Sequence, residues 1–133
     1  AARPIDVALY PSVAFDDHDR EQHRPEMFWS LLDAPTSTLT SLGVDPDAVG
    51  DAAARLRQGD PEPARTLIDD GLLDQLMVLG SSRSVGERLA AMVTEHRPTS
   101  VGLAIVADDL THSIGRAAMA FDHMQLALDR EPG

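Results

Sequence analysis

Apolar residues fall into two kinds of run along the chain. Three runs are short and close to continuous: "IDVALYPSVAF" at 5–15, "LMVLG" at 76–80 and "SVGLAIVA" at 100–107. Stretches of this length, apolar on both sides, predict parallel strands covered on both faces. In the first, Ile5, Val7 and Leu9 alternate before Val13, Ala14 and Phe15. Pro11 has no N–H for a ladder and predicts a bend or bulge there. The other kind of run is periodic. In "SVGERLAAMVTEH", Val85, Leu89, Met92 and Val93 recur on one helical face. In "DDLTHSIGRAAMAFDHMQLAL", Leu110, Ile114, Ala117, Phe121, Met124 and Leu128 form a single stripe.

Between the first and second strands the pattern is helical and uneven. Asp16, Asp17 and Asp19 suit the positive end of a starting helix, and Pro25 predicts a break or restart before "EMFWSLL". "TSTLTSLGV" (36–44) predicts one short helix or turn. "DPDAVGDAAARLRQG" (45–59) has Asp45 as N-cap, Pro46 at the first helical position and Gly59 as its stop. "DPEPARTLIDDGLLDQ" (60–75) predicts a second helical stretch, interrupted near Gly71. The order is therefore strand, helical insertion, strand, helix, strand, helix. Three strands leave open edges and uncovered apolar surface, so the pattern calls for more protein than these residues supply.

Composition narrows the chemistry. At 133 residues, 43% hydrophobic and 25% charged, the chain suits one globular domain. A net charge of −11 argues against a nucleic-acid backbone or an anionic membrane surface as partner. Every basic residue is arginine, so neither a Schiff-base lysine nor a P-loop lysine is present. With no cysteine there are no disulfides, thiolate nucleophiles or Cys-held metals. The sequence contains no apolar run of about 18 residues and opens on no signal peptide, so a cytoplasmic location is expected.

"IDDGLLDQLMVLGSSRSVGERLAAMVTEHRPTSVGLAIV" resembles the C-terminal part of the bacterial luciferase-like monooxygenase superfamily, in its F420-dependent, methylenetetrahydromethanopterin reductase-like branch. The shared pattern is an acidic "LLD" segment (Leu72, Leu73, Asp74), a strand, G-[ST]-x-x-x-[VC]-x-[ER]-[RK]-[LIV], a helix and a last strand. Gly80, Ser81, Val85, Glu87, Arg88 and Leu89 carry the central motif. "AFDDHDREQHR" is similar to the family's preceding strand end and helix. The chain departs from the pattern at Ser82 and Arg83, where a proline is common, and at "EHRPTS", where a glycine often ends the helix.

The resemblance implies a partial (β/α)8 TIM barrel containing strands about 6 to 8. Residues 1–34 would supply strand 6 and its helix, 35–74 a helical insertion, and 75–133 strand 7, a helix, strand 8 and a helix. It further implies an oxidoreductase passing a hydride between coenzyme F420 or FMN and a small organic substrate. The N-terminal half of that barrel, or a partner chain, would complete it, and self-association into a homo-oligomer is expected. The alternative is a non-catalytic half-barrel or interaction domain that works only by association.

Candidate site residues follow from the ends of the strands. Loops after barrel strands form the active-site face, which puts the Gly80-Ser81-Ser82 turn there as a cofactor-binding candidate at a helix N-terminus. The competing reading is a tight turn in which Ser81, Ser82 or Ser84 caps the helix. Arg83 could meet a phosphate or carboxylate, or lie in solvent. Tyr10 and Ser12, near the end of the first strand, and Asp108, Asp109 and His112, after the last, are substrate-pocket candidates; Tyr10 reads equally well as a buried, hydrogen-bonded core residue. An aspartate and a histidine there could move a proton; one aspartate could equally cap the final helix. The cluster Asp16, Asp17, His18, Asp19, Glu21 and His23 has metal-ligand chemistry. His18 and His23 are five apart and share no helical face, so a helix start is the simpler reading and no metal site is assigned.

Overall fold

A computed structural model describes residues 6–130, and Ile5 of the first predicted strand lies outside them. The protein is mixed α/β and mostly helical, with short strands in small sheets. Among the described residues no helix is long and apolar enough to cross a membrane. Residues through Asp19, together with those from Met77 onward, form one compact unit, and Arg20–Leu76 form a second. The insertion predicted at 35–74 thus belongs to a larger helical unit that also takes in most of the preceding helix.

The first unit holds the sheets. β1 (Ala8–Leu9) and β2 (Ser12–Ala14) are two pieces of the first predicted strand, separated at Tyr10 and Pro11. β2 pairs in parallel with β3 (Met77–Leu79), and β1 pairs in parallel with β4 (Ser100–Val101). Ser12 also bridges Ala104, so the 7–14 segment runs between the other two. Pro11 lacks a donor, but its carbonyl accepts the Ala104 N–H at 2.9 Å. The expected barrel order would have put the 76–80 strand in the middle. Instead 99–104 takes the free edge of the longest segment, where its N–H groups meet the carbonyls of Val7, Leu9 and Pro11, because buried or half-buried backbone groups need partners.

The strand predicted over 100–107 is also shorter than its pattern. Past Val101, Gly102 donates to the Leu9 carbonyl and Ala104 bridges Ser12, while Gly102 to Ala107 are half-buried, with Leu103 and Ile105 against the core. A run with apolar side chains on both faces needs cover on both, and here those side chains are partly covered.

α6 (Ser82–His96) and α7 (Leu110–Arg130) pack together over the core of this unit. Val13, Phe15, Val78, Val85, Leu89, Ala117 and Ala120 form that core, with Met92 and Met124 packed at its margin. The expected face of α6 is the one it buries. On α7 the buried face is rotated from the predicted stripe: Ser113, Ala117 and Ala120 are buried, whereas Leu110 and Ile114 are exposed. Small residues take the interface because the helices approach closely at Gly86. A Cβ there would stand 2.4 Å from the Ala120 carbonyl oxygen and 2.9 Å from the Met124 nitrogen. α6 ends at Arg97, which adopts the left-handed conformation (φ 47°) usually given to glycine and donates its N–H to Val93.

The second unit is all helical. α1 (Asp17–Leu32) begins in the first unit and continues through it without the predicted break, although Pro25 lies inside. Pro25 is exposed, where the loss of one donor is met by solvent, and Met27, Phe28 and Leu31 are buried immediately beyond it. Short helix α2 (Thr36–Ser41) leads to α3 (Pro46–Arg57), whose Asp45 cap accepts the Asp47 N–H at 3.0 Å. The last predicted stretch divides into α4 (Glu62–Leu67) and α5 (Asp70–Leu76). The break falls at Ile68 and Asp69 rather than Gly71. Ile68 is fully buried, and Asp69 restarts the chain by accepting the Leu72 N–H at 2.8 Å; Gly71 sits inside the new helix.

Candidate functional site

Parallel strands place their C-terminal ends on one side, and the following loops gather there. In the first unit these loops are 15–16 before α1, 80–81 before α6 and 102–109 before α7. Each opens a helix, so each brings polar residues and a positive helix end to the same side.

Two pairs tie the start of α1 and its preceding loop to the third loop and α7. His18 Nε2 and Asp108 Oδ2 are 2.7 Å apart, and Arg116 Nη1 donates to Asp16 Oδ2 at 2.8 Å. The start of α6 is tied to α7 through Ser82, whose hydroxyl donates to the Arg116 carbonyl at 2.9 Å. Asp16 also accepts the Asp19 N–H at 2.8 Å, which caps the start of α1. That backbone bond first, and the Arg116 guanidinium second, hold the Asp16 carboxyl below the ordinary carboxylate range. The hydrogen bond to Asp108, and then its charge, raise the His18 imidazole above its ordinary value. The arrangement therefore offers an exposed, carboxylate-paired imidazole that favours its protonated form and a guanidinium held by Asp16. The protonated ring can donate a proton and the neutral ring can accept one, and an arginine can fix a carboxylate or phosphate.

The predicted residues divide among these roles. Gly80 takes a positive φ of 139°, and its N–H donates to the Ala14 carbonyl at 3.1 Å. Ser81 caps α6 by accepting the Ser84 N–H at 3.2 Å, which is the structural reading of that turn. Ser82 is tied to Arg116, and exposed Arg83 pairs with Glu87 one turn on. Asp109 caps α7 by accepting the His112 N–H at 3.1 Å, and His112 is exposed. Asp108 is the member of that group drawn into a cross-loop pair. Tyr10 and Ser12 stand upstream of the strand end, because the ladder continues to Ala14. Ser12 is half-buried in that ladder, while Tyr10 is 68% exposed with its ring over Gly102.

Two members were not singled out by the chain's patterning. The sequence groups His18 only with its immediate neighbours, and its partner lies 90 residues away. Arg116 carried one usable signal: a cation beside the small residues Ser113 and Ala117 on the packed side of a helix. Among the described residues no group of three or more His, Asp or Glu side chains is arranged to hold a metal ion. No protein-family model matches the chain, and no curated protein does.

Proposed function

We propose that the chain is the C-terminal portion of a luciferase-like, F420- or flavin-dependent oxidoreductase, and that its strand-end cluster forms part of the wall of a small-molecule substrate pocket. The observation that carries this reading is the gathering of His18, Asp108, Asp16 and Arg116 at the C-terminal ends of parallel strands. That is the end at which parallel α/β folds bind ligands. The half-covered apolar run at 102–107 supports a second element of the proposal, that further strands of a (β/α)8 barrel complete the sheet. In the completed barrel 100–106 would leave the edge of β1 for the outer edge of β3, keeping its direction.

When bound, the deazaflavin or flavin supplies hydride transfer. Of the turn residues, Ser81 fits an anionic part of such a cofactor best. Its oxygen accepts the Ser84 N–H, so its own proton is still available to donate. Gly80 and Ser82 are committed to the fold. Arg116 would orient an anionic substrate group, and His18 would hold a proton beside it.

A second reading, an interaction domain that works by association, is favoured by exposed Leu110 and Ile114 on α7. One experiment separates the two. The purified chain is titrated with F420 and with FMN, alone and with a chain carrying the first five βα units of a luciferase-like barrel, while light scattering gives the mass. The oxidoreductase reading expects cofactor binding only in the complemented complex. Self-association with no cofactor binding in either state supports the interaction domain. Tight cofactor binding by a monomer would overturn the claim that this chain holds only part of the site.

A further inference from the structure

The helical unit, Arg20–Leu76, carries a cleft of about 460 Å³ unrelated to the strand-end cluster. Its volume lies in the range of small-molecule pockets, about 300–1,000 Å³. α1 supplies Phe28 and Trp29, α3 supplies Leu56, and α4 supplies Ala64 and Arg65. Trp29 is 53% exposed, and its ring meets Phe28 edge-on with centroids 5.9 Å apart. An indole left half in solvent beside a second ring presents a flat apolar face on which an aromatic ligand can stack.

The charges on this cleft reverse those of the chain. The whole sequence has 22 acidic and 11 basic residues, yet the lining has two arginines, Arg24 and Arg65, against the single acid Glu21. The two arginines differ in what they can still do. Arg24 is only 13% exposed and is held by Glu21 at 2.6 Å, by Asp70 at 2.6 Å and by the Ile68 carbonyl. It is part of the wall. Arg65 pairs with Glu62 at 2.9 Å, one helical turn away, with both side chains more than 60% exposed. Such an exposed pair is weak and open to exchange.

We propose that this cleft binds a small aromatic anion, its ring stacked on Trp29 and its carboxylate taken by Arg65 in exchange for Glu62. A flat ring satisfies the Phe28–Trp29 wall, and an acid is the group that the one exchangeable cation selects. A neutral analogue keeps the first contact and loses the second. The proposal does not depend on the oxidoreductase reading, which concerns residues of the other unit.

Trp29 is the chain's only tryptophan, so its indole N–H gives a single NMR signal from inside the cleft. The test titrates 2-naphthoate and, separately, uncharged 2-naphthamide while following that signal in the 15N-labelled chain. Both should shift it saturably, with the carboxylate tighter by no more than about fivefold, since one exposed ion pair replaces another. Arg65→Gln should bring the naphthoate affinity down to that of the amide and leave the amide unchanged. Arg130→Gln, at an exposed arginine of the other unit, should change neither. No saturable shift with either compound overturns the site. Equal affinities in the unaltered chain, or a naphthoate preference that survives Arg65→Gln, overturns the assigned ligand class.

Discussion

Replacing Gly86 by alanine asks whether the close approach of α6 and α7 is real. The added methyl carbon would stand 2.4 Å from the Ala120 carbonyl oxygen, 2.6 Å from His123 Cβ and 2.9 Å from the Met124 nitrogen. Two of the three atoms are backbone, so no rotamer change relieves the clash. The helices must separate by about 1 Å to restore ordinary contact distances. That opens the layer in which Val85, Leu89 and Ala120 are fully buried. Overpacking of this kind costs about 3 kcal/mol, while alanine in place of glycine inside a helix returns about 1 kcal/mol. The expected result is a net loss of about 2 kcal/mol, a large share of a domain's stability of about 5–15 kcal/mol. Gly50 in α3 and Gly115 in α7 are internal controls, because an added Cβ meets nothing within 4 Å at either. Gly50→Ala and Gly115→Ala should each stabilise by up to about 1 kcal/mol. Urea unfolding followed by far-ultraviolet circular dichroism measures all three; tryptophan fluorescence would report only the helical unit, where Trp29 lies. A Gly86→Ala protein as stable as the controls would refute the packing of α6 on α7. It would also remove the scaffold that holds Ser82 against Arg116.

Arg97→Gly should stabilise the chain by about 1 kcal/mol, seen as a higher Tm, since the left-handed C-cap costs a side-chain-bearing residue more than glycine. Asp109→Ala should lower stability by about 1 kcal/mol in urea unfolding through loss of the α7 cap. The His18 imidazole, raised by Asp108, contributes stability that is fully present below its unfolded pKa and is lost as pH rises through the higher folded value. Asp108→Asn should lower the His18 titration midpoint measured by NMR; an unchanged midpoint would deny the pair. Asp16 has the opposite sign. Its depressed carboxyl contributes stability above the ordinary aspartate value, lost as pH falls through the lower folded one. Arg116→Gln should therefore move the acid-unfolding midpoint to higher pH.

Several features were readable because their cause is local, although the local cap at Asp69 was missed in favour of Gly71. The Asp45 cap, Pro46 and Gly59 bound α3 because capping, proline's fixed φ and the helix stop act within a few residues. The break at Pro11 follows from a missing donor. Pro25 misled for a related reason: proline's cost depends on whether the freed carbonyl is buried, and that is a property of the tertiary structure. The site shows the same division. Ser81 and Asp109 could be read as caps from their positions before helices. The pairs His18–Asp108 and Asp16–Arg116 span 90 and 100 residues and depend on which strands lie side by side.

The stripe on α7 connects these points. Leu110, Ile114, Ala117, Phe121, Met124 and Leu128 recur at helical spacing, yet the helix turns its small residues Ser113, Ala117 and Ala120 inward. Both faces follow from the sequence, since Gly86 admits only small neighbours and the larger apolar residues then fall beside that seam. Leu110 and Ile114 are left in solvent, just after the run 102–107 whose apolar residues are half covered. Burying a Leu or Ile side chain is worth about 2 kcal/mol, so the stretch from Gly102 to Ile114 is one place where cover is favourable, with exposed Met119 and Leu126 others on the same helix. The same stretch contains Asp108, Asp109 and His112. Any element that covers it, whether further barrel strands and helices or another chain, would therefore border the strand-end cluster, and its arrival would change the exposure of the His18–Asp108 pair.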